Sequence, residues 1–178
     1  MPDREGRLYL FEALALRDEY DQRIALLEKL LDPQGERRGG LRFGTSDSEV
    51  LQPAVGFEPS AIEAELKKLK TRRIKLNQEM QIANFHASFA FDGEEISLAQ
   101  ALEVRKALIA ERDELFRRVV DSAYKRVIHK EERDVIKEPT RPFQRAYDEY
   151  HAVLYRLRTL MTAIRRLNQT VAVAFRED

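Results

Sequence analysis

An arginine buried between helices must find acceptors, and this chain places two arginines in the same local pattern. Leu10-x-x-Ala13-Leu14-x-Leu16-Arg17 returns as Leu98-x-x-Ala101-Leu102-x-Val104-Arg105. A second echo joins Leu76-Asn77-Gln78, with Ile82-Ala83 behind it, to Leu167-Asn168-Gln169, with Val173-Ala174 behind it. At 1.5 Å per helical residue, each arginine and its asparagine come to about 12–13 Å from the same end of a helical hairpin. The spacing therefore predicts one polar layer made twice, Arg17 with Asn77 and Arg105 with Asn168. An unpaired buried guanidinium costs far more than a lost hydrogen bond, and asparagine amides or carbonyls near a helix end can serve it. The plain role of such a layer is to fix register, as a buried asparagine does in coiled coils. The sharper chemistry is capture of a small anion by two arginines at one level.

Other combinations are weaker. Asp148-x-x-His151 has the carboxylate-x-x-His spacing of di-metal helical bundles. Such a centre needs the unit from two helices, and no histidine lies between Ser60 and Phe85, so neither metal nor other cofactor is expected. His86 and His129 fall in connections among charged residues and read as surface histidines. There is no phosphate-cradling glycine loop and no nucleophile elbow, and the absence of cysteine removes thiolate chemistry. No catalytic function is expected. Lys67, Lys68, Lys70, Arg72, Arg73 and Lys75 form a basic run without an interleaved aromatic, which argues against nucleic acid. The run reads instead as a solvated face meeting acidic partners on its own or a neighbouring helix.

Four helices must position these residues. Leu10, Ala13, Arg17, Tyr20, Ile24, Leu27 and Leu31 recur at alternating three and four spacing, which predicts a helix over 8–31 that stops at Asp32-Pro33. The stretch 32–58 holds five of the seven glycines, so it reads as loop. Its length suggests a lid, an arm gripping a neighbouring subunit, or disorder over residues 35–57. Pro59-Ser60 opens a second helix, which runs to Phe85 with a seam through Ile62, Leu66, Leu69, Arg73, Leu76, Met80 and Ala83. Residues 86–96 form an extended crossing with Asp92-Gly93 turn chemistry. Ser97 caps the third helix, and Gln100 completes a capping box. Between Tyr124 and Pro142, Val127-Ile128 and Val135-Ile136 tilt the connection towards a short strand pair. The fourth helix follows Pro142 to about Ala174, with Phe143, Tyr147, Tyr150, Leu154, Leu157 and Met161 on one side and Ala146, Val153 and Leu160 widening the stripe.

The fold expected is all-α: internally duplicated antiparallel helical hairpins in a single domain, residues 1–178. Residues 8–85 make the first repeat, 86–96 the crossing and 97–175 the second. The chain carries 31 basic and 31 acidic residues, so no global field selects a polyanion or an anionic membrane. Its start, Met1-Pro2-Asp3-Arg4-Glu5-Gly6-Arg7, lacks a basic region followed by an apolar run, which predicts a cytoplasmic location.

Ala-Leu-x-x-Arg in the first and third helices, Asp92-Gly93 leading into Ser97-Leu98-x-x-Ala101-Leu102, and Leu-Asn near the last helix end resemble the septicolysin-like family of small bacterial helical proteins. The likeness covers the first helix, residues 76–120 and the last helix. Family members tend to carry an aromatic after the terminal Leu-Asn, where this chain has Gln169. The resemblance implies no active site, but it implies a membrane-damaging activity in one relative. The residues themselves favour a homo-oligomeric, non-enzymatic scaffold acting through protein contacts. A cytolysin-like, membrane-active protein is the alternative, less favoured because the polar helix faces mix both signs of charge.

Overall fold

The computed structural model describes residues 8–32, 52–129, 131 and 133–176. The expectation for the long first connection falls mostly outside them. Four helices dominate: α1 (Leu10–Leu31), α2 (Pro59–His86), α3 (Leu98–Ser122) and α4 (Phe143–Thr170). Among the described residues six short strands form three antiparallel pairs: β1 (Leu8–Tyr9) with β6 (Ala172–Val173), β2 (Ser88–Phe91) with β3 (Glu94–Ser97), and β4 (Arg126–Ile128) with β5 (Val135–Lys137). The chain is thus mostly helical. Its residues group into two compact units, 1–83 with 172–178, and 84–171. The crossing at 86–96 belongs to the second unit, and the end of the chain belongs to the first.

In every helix a line of buried positions recurs at sevens: Ala13, Tyr20 and Leu27 in α1; Leu69, Leu76 and Ala83 in α2; Ala101, Leu108, Leu115 and Ser122 in α3; Ala146, Val153 and Leu160 in α4, with Leu10, Met80, Leu98 and Ile164 buried three or four residues from a member of the line. A repeat of seven keeps one narrow line of side chains on the partner and leaves the flanks in water. In α4 this line is the Ala146–Val153–Leu160 set. Phe143 and Tyr147, expected on the seam, are 43% and 41% exposed. A 3.6-residue turn cannot bury both rows against one partner helix.

In the first unit, α1 and α2 are bridged by Arg23–Glu65 (3.1 Å), Lys70–Glu28 (2.6 Å) and Arg73–Asp21 (2.9 Å). These pairs are half exposed, so each contributes up to about 1 kcal/mol. Two members of the basic run thus meet acids of α1. The β1–β6 ladder, Leu8 opposite Val173 and Tyr9 opposite Ala172, adds the buried Val173 and Phe175 to this core. Here the structure corrects the expected helix end. Val171 turns extended (φ −80, ψ 125), so α4 stops at Thr170 rather than near Ala174. Val171, Val173 and Phe175 alternate with small residues at the strand period of two, and Val173 is wholly buried.

In the second unit, β2 and β3 make a two-residue hairpin. Asp92 (φ 50) and Gly93 (φ 86) both take positive φ, as a type I′ turn requires. Asp92 accepts two bonds from Arg156 of α4, at 3.0 and 2.7 Å, so the hairpin tip is tied to that helix. At its base, Leu98 N donates to the Ala87 carbonyl. Ser97 then caps α3 as expected: Gln100 N donates to Ser97 Oγ (3.1 Å), and Ser97 N donates to Gln100 Oε1 (2.8 Å). Glu12 does the returning half at α1, accepting from Tyr9 N at 2.8 Å. α3 and α4 pack along one another and are joined by β4–β5, the strand pair expected from Val127-Ile128 and Val135-Ile136.

Candidate functional site

Among the described residues no hydrogen bond closes the expected polar layer, either between Arg17 and Asn77 or between Arg105 and Asn168. In the first unit, counting from the Arg73–Asp21 bridge puts Arg17 level with Asn77, but Arg17 is about one-third exposed, its guanidinium reaches the adjacent Asp18 at 3.4 Å, and among the described residues no hydrogen bond joins it to Asn77. In the second unit, counting from the Phe116–Tyr150 ring contact puts Asn168 beside the start of α3 near Leu98, about 10 Å along the axis from Arg105. The expected level assumed that α4 runs some seven residues past Asn168. It runs two. The chain there leaves the helix to reach β1.

Arg105 is left in a demanding position. Its Nε is the one buried side-chain nitrogen or oxygen without a hydrogen-bond partner among the described residues. A buried unsatisfied donor costs roughly 1–3 kcal/mol. Replacing Arg105 by Met keeps an apolar stem and removes the orphan, so the variant should be more stable by about 1 kcal/mol. Arg17→Met should stay within about 0.5 kcal/mol of the parent, because that guanidinium is solvated. Chemical denaturation of the two variants checks this, and a loss of stability in Arg105→Met would mean that a partner satisfies Nε in solution.

Asp148 and His151, the other spacing with chemical content, are occupied by neighbours on their own helix. Asp148 accepts from Gln144 at 2.9 Å, and the His151 ring lies edge-on to Tyr147 (4.4 Å between centroids) and Tyr150 (5.9 Å). Among the described residues no group of three potential ligands could hold a metal. His129 Nδ1 lies 2.8 Å from Asp134 Oδ1 across the β4–β5 hairpin, and His86 ends α2 in solvent.

Two features that sequence reasoning missed lie at the end of the second unit where α3 passes into α4. The first is a row of rings at i, i+4, i+8 and i+12 on the exposed side of α4: Phe143, Tyr147, His151 and Tyr155. Phe143 stacks on Tyr147 at 5.5 Å, and Arg158 lies 5.4 Å over Tyr155, itself 63% exposed. Sequence reasoning placed Phe143 and Tyr147 on the helix seam, weighed His151 only with Asp148, and did not single out Tyr155. The second is a cleft of about 460 Å³ between the end of α3, the β4–β5 hairpin and the segment leading into α4. Four cations line it, Arg118, Arg126, Lys137 and Arg141, with two acids, Asp121 and Glu138. Arg126 and Lys137 stand directly opposite in the β4–β5 register. That opposition depends on register, which the sequence pattern did not specify.

Among the described residues no helix is long and apolar enough to cross a membrane. Neither a family model nor a curated protein matches the chain. The chain is similar in fold to a solved structure, the crystal structure of a functionally unknown conserved protein from Corynebacterium diphtheriae. The two are 25% identical with a TM-score of 0.64, and the likeness covers 94% of this chain and 99% of that one.

Proposed function

We propose that the chain is a non-enzymatic helical scaffold, built from two duplicated helical hairpins, that self-associates and works through protein contacts. The ring row of α4 carries this reading. Residues at i and i+4 form the ridge by which helices pack into each other's grooves. A ridge of Phe143, Tyr147, His151 and Tyr155 left in water is of the type that buries against a second helix. The narrow buried line in every helix supports it, because each hairpin keeps an unused flank. Matching buried residues at the two helix starts, Leu10 and Ala13 against Leu98 and Ala101, support the duplication. A cytoplasmic location accords with a scaffold of balanced charge.

Sedimentation tests the reading. At about 50 µM the wild type should exceed the 20.8 kDa of one chain, as mass action demands of a self-associating protein. Tyr147→Glu combined with Tyr155→Glu should return it to a monomer with unchanged helical circular dichroism. A monomeric wild type would end the proposal. The second reading is membrane activity, which the septicolysin-like resemblance implies and for which the same ring row would be the lipid-facing side. Dye release from liposomes by the wild type, lost in the double variant, would move the assignment to that reading.

A further inference from the structure

The cleft beside the β4–β5 hairpin combines features that a protein surface normally avoids. Arg126 and Lys137 are cross-strand partners, so their Cβ atoms stand about 5 Å apart on one face of the hairpin. Like charges directly opposite destabilise a strand pair, and a two-stranded hairpin is marginal to begin with. Neither cation makes an ion pair among the described residues. The other cations of the lining are partly neutralised: Arg118 pairs with Glu114, and Arg141 meets Glu149 at 3.3 Å. Of the two lining acids, Glu138 is held by Lys125 at 2.8 Å. Asp121 is then the acid left to answer Arg126 and Lys137, and it makes no ion pair with either.

The lining therefore holds four cations against two acids, and its two unpaired cations face the same side of one hairpin. Thr140 and Arg141 lead directly into α4, whose first turn has no side-chain cap. The amides and dipole of that helix start add positive potential to a site already short of anions. Tyr124, 80% exposed, also lines the cleft and offers a ring beside the charged groups.

We propose that this cleft binds a phosphate group carried on a small molecule, with Arg126 and Lys137 as the principal contacts, Arg118 and Arg141 flanking them, and Tyr124 against the organic part. Phosphate suits the site better than a monoanion. Its two charges offset the Arg126–Lys137 opposition, and its oxygens match guanidinium donors in pairs. A volume of 460 Å³ exceeds the needs of a bare phosphate and lies within the range of small-molecule pockets.

Calorimetry on the full chain at about 150 mM salt, where surface attraction is screened over roughly 8 Å, tests the proposal with three probes: inorganic phosphate, pyrophosphate and phenyl phosphate. Saturable binding is expected, with phenyl phosphate tighter than inorganic phosphate if the natural ligand is an ester. The reverse order would overturn the assignment of an organic phosphate and of Tyr124 to its organic part, leaving free phosphate or pyrophosphate as the ligand. Arg126→Gln combined with Lys137→Gln should weaken binding of every probe by about tenfold or more. The same double variant should melt no lower than the wild type without ligand, because it removes the like-charge opposition, so lost binding cannot be blamed on misfolding. As a control away from the cleft, Arg23→Gln should bind like the wild type. Absence of saturable binding up to about 10 mM of all three probes overturns the proposal, as does equal binding by wild type and double variant.

Discussion

Removal of residues 172–178 should unfold the first unit while leaving α3 and α4 protected. Val173 is fully buried and Phe175 is 6% exposed, and both belong to the same compact unit as α1. Burial of one such side chain contributes roughly 1.5–3 kcal/mol, so the truncation forfeits about 3–6 kcal/mol before the lost β1–β6 ladder is counted. Against a whole-domain stability of roughly 5–15 kcal/mol, that is enough to abolish one small helical unit. Hydrogen exchange read by mass spectrometry should show the α1 amides exchanging within the first time points and the α3 and α4 amides close to wild type. Val173→Asp, which leaves the chain length unchanged, should do the same. Equal loss of protection in α3 would show that the two units open as one, and full protection of α1 would show that β6 is not part of its core.

Local signals in the sequence were reliable where the structure is decided locally. Asp32-Pro33 ends α1, Pro59 opens α2, Ser97 with Gln100 caps α3, and Asp92-Gly93 makes the turn, because in each the determining atoms lie within four residues. The Val127-Ile128 and Val135-Ile136 pairs gave the β4–β5 hairpin for the same reason. What escaped was non-local. Leu8 and Tyr9 are strand residues only because Val173 and Ala172 return from the far end of the chain, and two residues carry no periodicity of their own. That return also ended α4 early and moved Asn168 away from the level of Arg105. The Val171, Val173, Phe175 alternation was legible, but it followed a helical stripe and was read as its continuation. The ring row of α4 failed in a different way: its first two members, Phe143 and Tyr147, were taken into the seam, because spacing alone does not say which of two adjacent rows faces the partner helix.

Leu160→Ala should be the most damaging single substitution in the second unit. Leu160 is fully buried at the middle of α4, in the line that includes Ala146 and Val153, and α3 presents Leu108 and Leu115 from its own line of sevens. A seven-residue line, here with Ile164 buried beside Leu160, leaves the buried leucine enclosed by side chains of the facing helix, so truncation empties a cavity that few neighbours can fill. The expected loss is roughly 2–5 kcal/mol, the lost transfer energy plus the cavity term. Tyr155→Ala, five residues earlier on the same helix but 63% exposed, should cost under about 0.5 kcal/mol under conditions where the chain is monomeric. The contrast separates the two roles assigned to α4, a heptad line that holds the unit together and a ring row directed at a partner. Urea unfolding at low concentration measures the first role, and repeating it at high protein concentration reveals the second. Association adds stability by mass action, so Tyr155→Ala should become destabilising only when the wild type is assembled. If Tyr155→Ala instead cost as much as Leu160→Ala at low concentration, the ring row would be core, and the division of α4 into a packed line and a docking row would fail.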